Sequence, residues 1–203
     1  MTEKTVDGVD DELGAAADTW VQLLARWLPG NADPERPVMT LASVDAEGYP
    51  DARTVLLSEF DERGSYFHTD SGSRKVVQLS ADPRACATVL LDDPLRQIVL
   101  QGAVEPLDQD ALLRAWRSRS RYLQVLGWLN TVELVVQPAS VRHAVWREFE
   151  ERHPSELDPP PTWTGYLLRP RRITFWVTDP VGPSRRREYE NDGSGWSSRW
   201  LPG

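Results

Sequence analysis

The sequence is poor in the residues that most often carry covalent or metal chemistry. One of its 203 residues is cysteine, at position 86, and three are histidine. A single thiol excludes an intrachain disulfide, and Cys86 lies in an apolar run where a buried structural thiol is expected. The histidines, His68, His143 and His153, lack the spacing of metal ligands. We therefore expect neither a disulfide nor a bound metal.

Long apolar runs are also missing, and so is an excess of positive charge. No segment approaches the ~20 apolar residues that cross a bilayer, and the acidic opening of the chain lacks the basic and apolar regions of a signal peptide. The net charge of -8 argues against general nucleic-acid binding, although basic clusters occur at 169–172 and 184–187. We expect a cytoplasmic protein that binds neither membrane nor nucleic acid.

Lysine is scarce, because Lys4 and Lys75 are the only two in the chain. Lys75 follows Arg74 between a strand-like segment, 65–69, and an apolar helix start, where a compact charge can meet a phosphate. On these residues alone, a solvated charge pair at a helix start explains the pattern better. The surrounding sequence reverses that preference.

The order of elements predicts one domain that is mostly β with flanking helices. Residues 1–14 are polar and acidic and are expected to be disordered, and residues 15–203 to form a single domain. Periodicity and turn signals predict helices at 15–28, 73–80, 108–119 and 141–152, and strands at 38–44, 53–60, 65–69, 85–91, 97–104, 165–168, 172–177, 186–190 and 195–201. Five strands at hairpin spacing in the first half suggest a closed or nearly closed barrel.

Five short motifs follow one another in a specific order: VMTLASVD at 38–45, RTVLL at 53–57, HT at 68–69 with SRK at 73–75, RQI at 96–98, and ITFW at 173–176. Together they resemble the pyridoxamine 5'-phosphate oxidase family of flavoproteins, from about Thr19 to Pro202. The resemblance implies an FMN-binding split β-barrel that forms a homodimer with FMN at the subunit interface. It also implies an oxidase in which a small organic substrate passes a hydride to flavin N5 and oxygen reoxidises the flavin.

The resemblance also assigns residues to the cofactor site. FMN needs cations at its phosphate and a flat apolar wall beside its ring. The implied phosphate contacts are Arg53, Thr69, Arg74 and Lys75, the ring contacts are Gln97, Trp176 and Arg186, and the accompanying positions are Thr54, Val55, Leu56 and His68. Taken singly, Arg53 could be an edge-strand charge, Gln97 a surface amide and Trp176 a core residue.

Two regions depart from the family pattern. Where the family has a Gln-Ser pair near the phosphate, an ungapped count gives Val132 and Glu133, and a carboxylate there would repel a phosphate. Either Glu133 points away, or Gln137 supplies a donor, or this loop is built differently.

The substrate positions depart further from the family. They read Ser58, Ala115, Arg119 and Leu123, of which only Arg119 keeps the family residue, and the C-terminal Arg-x-His-x-Arg element reads Gly182, Ser184 and Arg186. Losing a lysine and hydroxyl donors removes charge-assisted bonds of roughly 1.5 to 3 kcal/mol each. We therefore expect Ser58 and Arg119 to face a substrate other than pyridoxamine phosphate, in a more apolar pocket.

Three alternatives stay open at the level of the sequence. The first is a genuine pyridoxamine or pyridoxine 5'-phosphate oxidase with a shifted C-terminal register. The second is a reductase that uses the deazaflavin F420, which split barrels also bind. The third is a non-catalytic protein that binds flavin or heme.

Overall fold

The computed structural model describes residues 12–92 and 95–203. Within them, nine strands form one antiparallel sheet, with bounds β1 Val38–Val44, β2 Pro50–Leu56, β3 Glu59–Asp61, β4 Gly64–Asp70, β5 Arg84–Leu91, β6 Arg96–Pro106, β7 Trp163–Val177, β8 Arg185–Asn191 and β9 Trp196–Pro202. The helices are α1 Trp20–Trp27, α2 Arg74–Ala81, α3 Gln109–Arg117, α4 Arg121–Leu129, α5 Val132–Val135 and α6 Ala139–Arg152. The prediction of a mostly β fold with flanking helices is confirmed.

The sheet curls until its two ends meet. Its main path runs β2-β1-β5-β6-β7-β4-β3, so that β2 and β3 lie at opposite ends of the path although they follow each other in the chain. The backbone N–H of Ser58, between these two strands, donates to the carbonyl of Tyr66 on β4 at 2.8 Å. This bond extends the pairing of β3 with β4, and residues 57–58 connect the two ends of the sheet along the chain. The fold is the predicted split barrel, and the predicted strand 53–60 is divided into β2 and β3 at residues 57–58.

Strand β7 is the branch point of the sheet. It pairs with β6 along its length, while its first half pairs with β4 and its second half with β8. The sequence predicted two strands here, at 165–168 and 172–177, because Pro170 lies between them. The structure joins them, since the register with β6 shifts between Gln101 and Gly102, opposite Pro170, and a bulge tolerates a proline that cannot donate to the ladder.

The barrel interior forms the main core, and α1 closes one end of it. Thr19 begins this helix with a capping box, in which its hydroxyl accepts from the backbone of Gln22 and the Gln22 side chain accepts from the backbone of Thr19. The buried face of α1 carries Trp20, Leu23, Leu24 and Trp27. Trp27 makes an edge contact with Phe175 of β7, with ring centroids 5.2 Å apart. The helix predicted at 15–28 is therefore present, over a shorter range.

A second, smaller core lies under the helices. Trp116 of α3, Val125 of α4 and Leu157 form it, and the indole of Trp116 donates to the carbonyl of Leu157 at 2.5 Å. The sequence predicted α3 and α6 but missed α4 and α5. No helix within the described residues is both long and apolar enough to span a membrane.

The predicted disordered segment, 1–14, falls mostly outside the described residues. Its last three residues, 12–14, are described and are packed: Leu13 is fully buried, and the indole of Trp27 donates to the carbonyl of Glu12 at 2.8 Å. Buried Arg187 of β8 donates to the carbonyl of Leu13 at 2.9 Å. The stretch that precedes α1 is thus held by the C-terminal strands.

Candidate functional site

A cleft of about 450 Å³ opens beside the end of β4. Strand β2, the turn before α2, helices α4 and α5, and the start of β7 surround it. The described residues that line it are Thr54, Val55, His68, Thr69, Asp70, Gly72, Ser73, Lys75, Arg119, Leu123, Leu126, Gly127, Asn130, Val132, Pro160, Thr162 and Trp163. The structure therefore brings together five residues of the predicted cofactor site: Thr54, Val55, His68, Thr69 and Lys75.

Lys75 places a positive charge in this cleft. Asp70 ends β4 and accepts from the backbone N–H of Gly72 at 2.7 Å, in the turn that leads to Ser73, the N-terminal cap of α2. In the first turn of α2, the Lys75 ammonium donates to the Thr69 hydroxyl at 2.9 Å. Burial, and then the nearby charge of Arg53, lowers the pKa of Lys75. The nearby Asp70 carboxylate opposes this shift, but no described carboxylate forms an ion pair with Lys75, and its described hydrogen-bond acceptor is the Thr69 hydroxyl.

The guanidinium of Arg53 is bound by other residues of the protein. Its side chain is 18% exposed and forms an ion pair with Asp51 at 2.9 Å. Its other acceptors are the carbonyl of Leu41 at 3.2 Å, the hydroxyl of Ser43 at 2.7 Å and the amide oxygen of Gln78 at 2.7 Å. Arg74 lies 2.9 Å from the same Asp51 carboxylate. Neither arginine is among the described residues that line the cleft, so the predicted phosphate set is divided.

His68, Trp163 and Arg119 form one wall of the cleft. The imidazole of His68 stacks parallel to Trp163 at 5.0 Å, and its Nδ1 lies 3.0 Å from the hydroxyl of Ser58. Burial, and then the charge of Arg119, lowers the pKa of His68 to about 3, so His68 is neutral at neutral pH. It adds a flat surface without a charge.

Arg119 is a cation without a counter-ion among the described residues. Its guanidinium lies 4.4 Å from the centroid of the Trp163 ring, and burial lowers its pKa to about 10. Its Nε is buried and has no acceptor. An unpaired buried charge is costly unless a ligand neutralises it, which makes Arg119 a candidate anchor for an anionic group.

A second pocket, of about 260 Å³, adjoins the cleft and shares His68, Arg119 and Leu123 with it. Its described lining also includes Ser58 and Ala115, so all four positions that the sequence assigned to the substrate lie around one space. Leu56, predicted to accompany the cofactor, lines this pocket and not the cleft. Carboxylates are present here too, at Asp33 and Glu59.

The predicted ring contacts lie elsewhere. Gln97 of β6, Trp176 of β7 and Arg186 of β8 are direct neighbours across three adjacent strands, since Gln97 pairs with Trp176 and Trp176 with Arg186. Of the described residues that line the cleft, none belongs to this group. Within one chain, the structure brings the three together but not to Lys75.

A family model described as pyridoxamine 5'-phosphate oxidase matches residues 32–176. The chain belongs to the pyridoxamine 5'-phosphate oxidase family. Two curated relatives, each called pyridoxine/pyridoxamine 5'-phosphate oxidase, support this membership. That of Caulobacter vibrioides is 33% identical over 186 residues, 88% of this chain and 82% of the relative. That of Alkalilimnicola ehrlichii is 37% identical over 164 residues, 80% and 84% of the two chains.

Solved structures agree with the fold of this family. PhzG of Burkholderia lata 383, in complex with tetrahydrophenazine-1-carboxylic acid, is 25% identical with a TM-score of 0.71, covering 84% of this chain and 83% of PhzG. An FMN-binding protein of Nostoc punctiforme PCC 73102 has a TM-score of 0.65 at 23% identity, covering 81% and 87%. As a member of the pyridoxamine 5'-phosphate oxidase family, this chain is a flavin-binding, oxidoreductase-like protein.

The structure shows where residues 132–133, which depart from the family pattern, lie relative to the cleft. Val132 lines the cleft, whereas Glu133 is exposed and is not among the described lining residues. Hydrogen bonds from its own backbone and from Thr131 lower the pKa of Glu133. The Gln137 amide donates to the carbonyl of Glu133 at 3.3 Å and does not line the cleft. Glu133 thus lies outside the described lining of the cleft, as the first of the three possibilities requires.

Three residues of the site were missed by sequence reasoning: Asp51, Gln78 and Trp163. Gln78 carried a usable signal, because it lies four residues after Arg74 on a helix and so shares its face. Asp51 also carried a usable signal, because it lies two residues before Arg53 and so shares its face of β2. Trp163 carried none, since one of nine tryptophans cannot be placed in a wall or a core by its type alone.

Proposed function

We propose that this protein is an FMN-dependent oxidoreductase that oxidises a small organic substrate and returns the electrons to oxygen. The observation that carries the proposal is Lys75, a partly buried ammonium that faces a cleft and forms no ion pair with a described carboxylate. A phosphate would supply the missing negative charge through charge-assisted hydrogen bonds. The hydroxyls of Thr69 and Ser73, 3.3 Å apart, stand beside it as further donors.

The rest of the cleft fits the remainder of FMN. Thr54 and Val55 line it from β2, and the stacked rings of His68 and Trp163 offer a flat wall. Bound FMN would supply a ring that accepts a hydride, chemistry that side chains lack. The residues of this chain would bind and orient that ring, and neutral His68 would do so without adding charge.

A homodimer would complete the site. Gln97, Trp176 and Arg186 form one surface group that lies outside the cleft of their own chain, and a second copy could present this group to the ring. The test is a co-expressed pair of differently tagged variants, Lys75→Gln and Arg186→Gln. If the two groups come from different subunits, each variant alone binds FMN poorly, and the mixed dimer regains one intact site. No recovery in an isolated mixed dimer would contradict the shared site.

The substrate of the proposed reaction is an organic molecule other than pyridoxamine phosphate. The pocket beside the cleft is lined by two guanidiniums that have a buried nitrogen without an acceptor, Arg36 and Arg119, together with apolar Ala115 and Leu123, which suits a largely apolar ring that carries an anionic group. The complex of PhzG with tetrahydrophenazine-1-carboxylic acid shows that a member of this fold takes such a molecule.

A genuine pyridoxine/pyridoxamine 5'-phosphate oxidase is the second candidate. Its support is the curated relatives of that name, at 33% and 37% identity. Steady-state turnover, followed through hydrogen peroxide, separates the two candidates. We expect pyridoxamine 5'-phosphate to be oxidised far below ordinary enzyme rates, and Ser58→Lys to raise that rate by restoring a cation. Full turnover by the wild type would establish the second candidate.

The cofactor itself is tested by the absorbance spectrum of the purified protein and by identification of the released chromophore. Released FMN, reduced by a substrate and reoxidised by air, is the expected result. A colourless protein that binds F420 but not FMN would replace the proposal with a deazaflavin-dependent reductase. A bound flavin or heme that no candidate donor reduces would show a binding protein without catalysis.

A further inference from the structure

The carboxylate of Asp51 lies at the centre of the cations expected to hold the cofactor phosphate. Its Oδ2 is 2.9 Å from Nη2 of Arg53, 2.9 Å from Nε of Arg74 and 3.0 Å from Nε2 of Gln78. The pairing of β1 with β2 sets Asp51 opposite Ser43, whose hydroxyl donates to the Gln78 amide oxygen at 2.7 Å. One carboxylate oxygen thus accepts a hydrogen bond from Gln78 and forms ion pairs with two arginines, as a phosphate oxygen could.

The two arginines in this network differ in how firmly they are held. Arg53 has three hydrogen-bond acceptors besides its ion pair with Asp51 and is little exposed, so it stays in place whether or not Asp51 is charged. Arg74 is 80% exposed, and the Asp51 carboxylate is its only described ion-pair partner. An exposed pair of this kind contributes little to stability, because water and side-chain entropy offset the attraction. Arg74 can therefore leave Asp51 at small cost.

The charges around Arg74 determine how an exchange of the Asp51 carboxylate for a phosphate changes the affinity. Near the start of α2 stand three cations, Arg53, Arg74 and Lys75, and two carboxylates, Asp51 and Asp70. Asp70 lines the cleft and accepts from the backbone of Gly72. The three cations create a positive potential for an entering dianionic phosphate, and the two carboxylates reduce that potential. Of the two carboxylates, Asp51 lies closer to the arginines than Asp70 does.

We propose that Asp51 is a resident anion that competes with the cofactor phosphate for Arg74 and so sets the affinity of the site for FMN. This inference rests on the proposed function for the identity of the phosphate ligand. Arg74 exchanges the Asp51 carboxylate for the phosphate on binding, while Arg53 keeps its acceptors. Asp51 thereby weakens retention of FMN relative to a neutral residue of the same shape.

The test compares FMN with riboflavin, which has the same ring but no phosphate, in fluorescence titrations of the apoprotein. Asp51→Asn keeps the size and the acceptor oxygen and removes the charge. We expect it to lower the Kd for FMN by about three- to tenfold and to leave the Kd for riboflavin unchanged. The gain should shrink in high salt and disappear in the double variant Asp51→Asn with Arg74→Gln. Asp82→Asn, which removes a comparable charge paired with Arg84, is the matched control.

A second probe is independent of the flavin. Inorganic phosphate should raise the melting temperature of Asp51→Asn more than that of the wild type. If no protein binds FMN but this difference appears, the proposed cofactor is wrong and the resident anion stands. An unchanged or weaker Kd for FMN in Asp51→Asn, or an equal phosphate shift in both proteins, would overturn the inference, because Asp51 would then only position the arginines.

Discussion

At the scale of single residues, His68 shows how burial selects one protonation state. Its ring is stacked on Trp163, and its Nε2 is buried without a partner. A proton on this ring would bring a second positive charge toward Arg119 in a place that water does not reach. His68 therefore acts as a neutral wall, and it is unsuited to proton transfer near neutral pH.

This protonation state predicts a dependence of stability on pH. The pKa of His68 falls from 6.5 in the unfolded chain to about 3 in the folded protein. Between pH 3 and pH 6.5, the unfolded state therefore binds the proton more strongly than the folded state. Stability is fully present above pH 6.5 and is lost as the pH falls toward 3, by up to about 1.4 kcal/mol per pH unit. The measurement is urea unfolding of the wild type and His68→Phe between pH 4.5 and 7. The variant should show the shallower slope, and identical slopes would contradict the burial of a neutral ring.

Lys75 gives the second prediction at this scale. Replacing it with glutamine removes a cation from a partly buried cleft but keeps a donor of similar length. Since a hydrogen bond to a charged group contributes about 1.5 to 3 kcal/mol, FMN should bind about 10- to 100-fold more weakly, with riboflavin affected less than twofold. Arg84→Gln, an exposed arginine outside the cleft lining, serves as control. Equal losses for FMN and riboflavin would show that Lys75 supports the fold and not the phosphate.

At the scale of elements, the bulge between β6 and β7 is the most constrained feature of the sheet. Gly102 lies where the register shifts, opposite Pro170. A Cβ on Gly102 would collide with the carbonyl oxygen of Arg169, which is backbone and cannot turn aside. The absence of a side chain at Gly102 lets β7 continue through Pro170 as one strand.

Gly102→Ala should therefore destabilise the protein by about 1 to 3 kcal/mol, the usual cost of forcing extra volume into a packed site. Thermal and urea unfolding measure the change. Gly30→Ala is the matched control, because a Cβ there would meet nothing within 4 Å. A neutral Gly102→Ala would mean that the bulge can move, and that the junction of β6 and β7 is softer than its geometry indicates.

Sequence patterns predicted the elements whose signals are local. The strand at 38–44 was predicted with the bounds that it has, because buried and outward side chains alternate along it. Strand β7 was divided in error, because its continuity depends on a glycine of another strand. Helix α4 was missed because only Val125 is fully buried in it, so that no clear apolar face marks it.

The candidate site also has residues that local sequence signals predicted and residues that they did not. Lys75 and Thr69 are close in sequence, and family motifs placed them correctly in one cleft. Asp51 lies two residues before Arg53 on the same strand, but Gln78 reaches Arg53 only once β2 and α2 have packed, so this partner cannot be predicted from the motif alone. Arg53 and Arg74 form ion pairs with Asp51, and their contact with a phosphate stays a prediction.

At the scale of the whole molecule, Arg187 connects the two ends of the described chain. It is 1% exposed, and its guanidinium donates to the carbonyls of Leu13, Ala15, Ala16 and Asp18. Tyr189, on the same strand, donates its hydroxyl to the carbonyl of Asp18 at 2.7 Å. The segment 13–18 thus satisfies a buried cation with backbone oxygens, and no described carboxylate forms an ion pair with Arg187.

Arg187→Met keeps the length of the side chain and removes its donors, which leaves four carbonyls without this partner. We expect a loss of about 2 to 4 kcal/mol in the free energy of unfolding and faster hydrogen exchange at residues 12–18. Arg171→Met, which removes an exposed arginine of β7, should change both measurements little. Unchanged exchange at 12–18 would show that the apolar contacts of Leu13 hold the segment without Arg187.

The contact between Arg187 and Leu13 spans 174 positions of the chain, and this separation has a consequence for synthesis on the ribosome. The segment before α1 is synthesised long before β8, and the side chain that donates to its carbonyls is made only after β7. Residues 13–18 therefore lack this partner until β8 has been synthesised, and the hairpin of β8 and β9 then fixes the segment. A chain that is arrested before β8 would contain the entire cleft and still leave its own beginning loose.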